Sequence, residues 1–120
     1  PLTVWCDEDT PLIWPEVLQA VSGHGPDTVL EDDDELLSRL MTEAGLARYH
    51  AYCREHPPQS ASHRRRIVTA FLEKFGRPDQ LSAEVVVPGW TGDLVEEMTR
   101  SYLADVDRIT RIPGVRLIEP

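Results

Sequence analysis

Three groups of side chains in this sequence have the types and spacing to do chemistry. The first is Asp7-Glu8-Asp9, three carboxylates set directly after the apolar run Pro1-Leu2-Thr3-Val4-Trp5-Cys6. In open α/β sheets, ligands bind just beyond the carboxyl ends of strands, so acids at this place are candidate substrate contacts. The same residues also suit a helix start, with Asp9 or Thr10 as the cap and Pro11 at the first helical position. The second group is His63-Arg64-Arg65-Arg66, a basic cluster in the first turns of a predicted helix. Positive charge is disfavoured there by the helix dipole, and a local rule broken without evident gain calls for a reason. One reason is contact with an anion or a partner; the other is a solvated face pairing with the acidic run Glu31–Glu35. The third group is His50 and Cys53, three apart on a predicted helix and close enough to share a metal ion. Two ligands do not make a structural zinc site, so the expectation is a satisfied histidine, a core cysteine and no metal.

No complete catalytic apparatus accompanies these groups. There is no G-x-x-x-x-G-K or G-x-G-x-x-G loop to cradle phosphates, no H-E-x-x-H helix and no G-x-S-x-G elbow. Glu31-Asp32-Asp33-Asp34-Glu35 lacks the alternating oxygen ligands and central glycine of a calcium loop, and reads as a helix N-terminus. With 12 basic and 21 acidic residues the net charge is -9, which disfavours nucleic acid and anionic membrane surfaces as partners. Lys74 is the single lysine, so an anion site here would rest on arginine or backbone N–H groups. Two cysteines without a secretory signal point to reduced thiols and a cytoplasmic setting. The 120 residues allow one domain at most.

The elements that would position these groups are mostly helical. Pro1–Cys6 reads as a buried strand with the pattern of a parallel one, because it does not alternate cleanly. A strand starting at the first residue suggests a chain cut from something longer. A helix follows, regular only after Trp14 because of Pro15, and ends at Ser22-Gly23-His24-Gly25-Pro26. Leu36, Leu37, Leu40 and Met41 mark another helix. Thr42 caps a third that runs to about His56, before Pro57-Pro58. Ser60-Ala61-Ser62 offers caps for a fourth helix carrying Ile67, Val68, Phe71, Leu72 and Phe75, with Gly76 as its left-handed terminator. Glu84-Val85-Val86-Val87 reads as an edge strand stopped by Pro88.

The last third is the best-specified stretch. Thr91 is a good N-cap, and Trp90 and Val95 stand at the two positions of a hydrophobic staple. Leu94, Val95, Met98, Tyr102, Val106 and Ile109 step by three or four and form one stripe. Fully buried, that stripe would contribute on the order of 10 kcal/mol of gross hydrophobic stabilisation. Pro113 ends the helix, and Val115-Arg116-Leu117-Ile118 reads as a short strand.

Two segments carry a family resemblance. Val4-Trp5-Cys6-Asp7-Glu8-Asp9-Thr10-Pro11-Leu12-Ile13-Trp14 resembles the latter half of bacterial sulfotransferase-like proteins. So does the ending: Pro88-Gly89-Trp90-Thr91, Tyr102, Asp105, Asp107, Ile109 and Ile112-Pro113-Gly114-Val115. The intervening helices, with Arg64-Arg65-Arg66 and Phe71-Leu72-Glu73-Lys74-Phe75, are compatible, so the likeness spans nearly the whole chain. It implies the carboxy-terminal part of an α/β P-loop-like fold. In an intact family member it implies transfer of a sulfuryl group from 3′-phosphoadenosine-5′-phosphosulfate to a hydroxyl or amine. The donor loop and its lysine belong to the amino-terminal half of such proteins and have no counterpart here. The expected partner is therefore that missing half. The competing expectation is a non-catalytic helical module that binds a protein partner through an apolar groove or the arginine cluster.

Overall fold

Leu2-Thr3-Val4-Trp5 is apolar and β-branched, and in the computed structural model, which describes residues 1–82 and 85–120, it forms strand β1 (Leu2–Trp5). β1 pairs in parallel with β2 (Val115–Ile118), in the register Leu2 to Val115 through Trp5 to Ile118. The parallel direction agrees with the non-alternating sequence, but the expected burial does not. Leu2 is 61% exposed and Trp5 is also on the surface. A parallel strand is buried only when neighbours and covering helices enclose it, and among the described residues this sheet has two strands.

A 3-10 turn over Asp7–Asp9 leads into helix α1 (Thr10–Ser22), which is regular through Pro15 instead of starting after it. Pro11 falls in the first turn, where its missing N–H costs nothing, so Pro15 removes only one hydrogen bond from the interior. Ile13 and Val17, one turn apart, are buried with Ile118, and that burial offsets the loss. Gly23 ends α1 with φ 68, in the left-handed region.

Helix α2 (Glu35–Leu40) is short, and α3 (Glu43–Glu55) and α4 (Ala61–Phe75) form a helical hairpin. Both predicted caps are present: Gly45 N–H donates to Thr42 Oγ1 at 3.1 Å, and His63 N–H donates to Ser60 Oγ at 3.0 Å. Gly76 is not the left-handed terminator expected of it. Its φ is -63 and its backbone is extended, because it pairs with Met41 in an antiparallel bridge. Glycine is required there for space, since a Cβ would run into the Leu72 carbonyl and the Leu81 side chain.

After a single turn, α5 (Pro78–Leu81), the expected strand over 84–87 does not form where it can be followed. Glu84 lies outside the described residues, while Val85 and Val86 are exposed and unpaired with any strand. Helix α6 (Gly92–Thr110) then starts at Thr91, whose Oγ1 accepts the Leu94 N–H at 3.2 Å. Its apolar stripe does not enter the core. No residue of α6 is buried; Leu94 is 37% exposed, Met98 45% and Tyr102 41%. The staple residues Trp90 and Val95 are exposed as well. The stripe is intact, but among the described residues only β2 and the turn holding Glu8 pack against it.

Packing is concentrated elsewhere. Ile13, Val17 and Ile118 make one core, Leu37, Met41 and Val68 make another, and Leu12 packs against both. The protein is thus mostly helical with two short parallel strands. Its accessible surface is 8974 Å², against about 6,600 Å² for a compact chain of this mass. Its radius of gyration is 16.9 Å, against about 13.6 Å for a compact domain of this length. The excess surface, roughly 2,400 Å², is the size that obligate interfaces bury.

Candidate functional site

Because β1 and β2 run the same way, Cys6 and Glu119 leave the sheet at the same edge. The turn Asp7–Asp9 therefore sits at the carboxyl end of the parallel pair, as its place in the sequence implied. Asp9 stands at the cap position of α1 without capping it, so its carboxylate is not used by the helix. Tyr102 reaches this edge from α6 and donates its hydroxyl to Glu8 Oε1 at 2.6 Å. The neighbouring Cys6 thiol and the Glu8 carboxylate together push the phenol above its usual range. The Tyr102 bond in turn holds the Glu8 carboxyl below its ordinary value. Asp9 is raised, first by burial and then by the charges of Glu8 and Glu119. The result is a carboxylate, phenol and thiol array assembled from the turn after β1 and from α6.

Tyr102→Phe tests this array directly. A carboxyl whose folded value is depressed contributes stability above its unfolded value and loses it as pH falls through the folded value. Without the phenol donor, the Glu8 titration followed by carbon-13 NMR is expected to move up towards the ordinary carboxylate range. The contribution to acid stability should shrink with it. An unmoved Glu8 titration would show that the hydrogen bond is not made in solution.

The arginine cluster divides. Arg64 and Arg65 do not pair with Glu31–Glu35; both turn to Glu16 on α1, at 3.0 and 3.3 Å. Arg64 also donates to the Leu12 carbonyl at 2.8 Å. Arg64 therefore ties the backbone of the first turn of α1, as well as the Glu16 side chain, to α4. These two arginines are largely buried and hold α4 against α1. Arg66 is exposed and faces a different surface, the space between α3 and α4. Asp7–Asp9 and Arg64–Arg66 therefore do not form one site.

His50 donates Nε2–H to Asp34 Oδ2, which satisfies the ring and explains why Asp34 fails to cap α2. Cys53 lies beside the Tyr49 phenol, and its thiol and that phenol influence one another's titration. Burial pushes the Tyr49 phenol up to about 12, with the Cys53 thiol adding to it, and burial raises Cys53 itself. Among the described residues, no group of three or more His, Cys, Asp or Glu side chains is placed to hold a metal ion.

The most developed concavity is an open groove of about 770 Å³ between α3 and α4. Tyr52, Ile67, Phe71 and Phe75 line it with apolar surface, and Arg48, Arg66 and Lys74 bring cations to it. The Arg48 guanidinium lies 5.4 Å from the centroid of the Phe75 ring, and Lys74 Nζ lies 5.5 Å from it. Sequence reading singled out Arg66 but missed Arg48 and Lys74. The signal was present: Arg48, Tyr52 and Glu55 share one helical face, as do Arg66, Ala70 and Lys74.

Comparison with known proteins adds no identity. Neither family models, nor curated proteins, nor solved structures gave a match to this chain. Among the described residues, no helix is long and apolar enough to cross a membrane.

Proposed function

We propose that this chain is the carboxy-terminal portion of a sulfotransferase-like domain, shaping the acceptor side of a cleft whose donor-binding half lies outside it. One observation carries the reading: a two-stranded parallel sheet stands beside a 19-residue amphipathic helix with an uncovered apolar stripe. Parallel sheets are stable when both faces and further strands are enclosed, so this pair is suited to extension by neighbouring strands. The added strands would cover Leu94, Met98 and the rest of the α6 stripe. In that arrangement the array of Glu8, Asp9, Tyr102 and Cys6 sits at the carboxyl end of the completed sheet, the usual ligand edge of such folds. The donor expected for an intact relative is 3′-phosphoadenosine-5′-phosphosulfate. This chain contains no matched residue for holding it, and no catalytic residue is assigned.

The test is the full gene product. The coding region ahead of Pro1 should contain a strand followed by a turn with glycine and lysine, and the full-length protein should transfer labelled sulfuryl groups from the donor. Hydrogen exchange of α6 amides should slow markedly relative to the 120-residue chain. A full-length product with no such turn, or with no binding of 3′-phosphoadenosine-5′-phosphate, rejects the reading.

A further inference from the structure

The groove between α3 and α4 gathers cations that lie over an aromatic ring but have no described carboxylate partner. Arg39, Arg64, Arg65, Arg108 and Arg111 each have a carboxylate partner. Among the described residues, Arg48, Arg66 and Lys74 have none, and the groove that they line carries one carboxylate, Glu55. Arg54, Arg77, Arg100 and Arg116 also lack a described carboxylate partner, but none of them lines this groove. In a chain of net charge -9 with 21 acids, unpaired cations brought to one groove imply that the compensating charge comes from another molecule.

We propose that this groove docks an acidic amphipathic helix of a partner protein. The cations define the sign of the ligand, and the aromatic surface of Tyr52, Phe71 and Phe75 requires that it also carry apolar anchors. Ala51 and Ala70 line the groove with small side chains, which lets a third helix backbone approach closely. A small molecule is a poorer fit, because such ligands are mostly enclosed, whereas Arg48, Tyr52, Arg66 and Lys74 are all exposed. A nucleic acid strand would bring dense negative charge against the acidic remainder of the chain. Helices α3 and α4 alone form the groove, so its occupancy is independent of the sulfotransferase-like reading.

A fluorescein-labelled amphipathic peptide of Glu, Leu and Ala, patterned as a helix, is the probe, read by fluorescence anisotropy against the whole chain. It is expected to bind saturably, and the double variant Arg48→Glu/Lys74→Glu is expected to weaken binding by about tenfold or more. Raising salt from ~50 to ~500 mM should weaken it as well. Circular dichroism checks that the variants fold; Arg66→Glu, a change at an exposed position, gives a second reading if the double variant does not. Absence of saturable binding overturns the proposal, as does equal binding of a scrambled peptide of the same composition, or affinity unchanged by charge reversal. Light scattering that finds self-association abolished by Lys74→Glu would assign the groove to a second copy and also overturn it.

Discussion

Replacing Gly45 by alanine is expected to destabilise the protein by about 2 kcal/mol, although alanine is the better helix former by about 1 kcal/mol. Gly45 is the buried third residue of α3, at the point where α3 crosses the end of α4. A methyl group there would overlap Phe75 Cβ, stand 2.9 Å from Phe75 Cγ and press on Thr42 Oγ1 at 3.0 Å. Phe75 Cβ is fixed to the α4 backbone, so relief requires the two helices to separate and not merely a rotamer change. The Thr42 cap would be strained at the same time, and a lost cap costs about 1 kcal/mol. Urea unfolding should show a lower midpoint with an unchanged slope. Gly92→Ala is the control, because nothing lies within 4 Å of where its methyl group would stand and it opens α6 on the surface. That substitution should be neutral or slightly stabilising. A Gly45→Ala protein as stable as the parent would mean that α3 and α4 are not packed as closely as described.

Glu16→Gln is the second large effect, with an expected loss of about 3 kcal/mol. Glu16 is the shared carboxylate of Arg64 and Arg65, and all three side chains are roughly four-fifths buried. Arg65 Nε already lacks a hydrogen-bond partner, so little reserve exists for its charge. Neutralising Glu16 leaves two guanidinium groups beside one another without a counter-charge, which is costlier than the ion pair is stabilising. The Leu12 carbonyl keeps its contact with Arg64, so helix α1 should persist while its packing on α4 loosens. Thermal unfolding measures the loss. Replacing all three residues by apolar ones of similar size should recover most of it, because the desolvation cost is then removed together with the pair. A Glu16→Gln variant with unchanged stability would show that the arginines are solvated and not structural.

Local structure was legible wherever it depended on neighbours in sequence. Thr42, Ser60 and Thr91 cap helices because a hydroxyl at that offset meets a free N–H whatever the rest of the chain does. Val115–Ile118 forms a strand where the β-branched and apolar run predicted one. Pro15 misled because its cost is local and its compensation is not: Ile13 and Val17 are secured by Ile118, at the far end of the chain. Gly76 misled similarly, since its terminator role was inferred from the helix alone and its real constraint is a bridge to Met41.

The candidate sites divide along the same line. The position of Asp7–Asp9 at the carboxyl end of a strand follows from the order of residues, but their company does not. Tyr102 lies on the α6 stripe and reads as core, and only the parallel pairing of β1 with β2 brings it to Glu8. Arg64, Arg65 and Arg66 are indistinguishable as neighbours in sequence, yet α1 claims two of them and leaves the third to a groove. The sequence by itself determined the helices, their caps, the acidic balance and the amphipathic stripe of α6, all consequences of short-range spacing. Only the tertiary structure decided that most of this stripe lies uncovered, because burial depends on which surfaces meet, and here the described elements reach it only along β2 and at the turn holding Glu8.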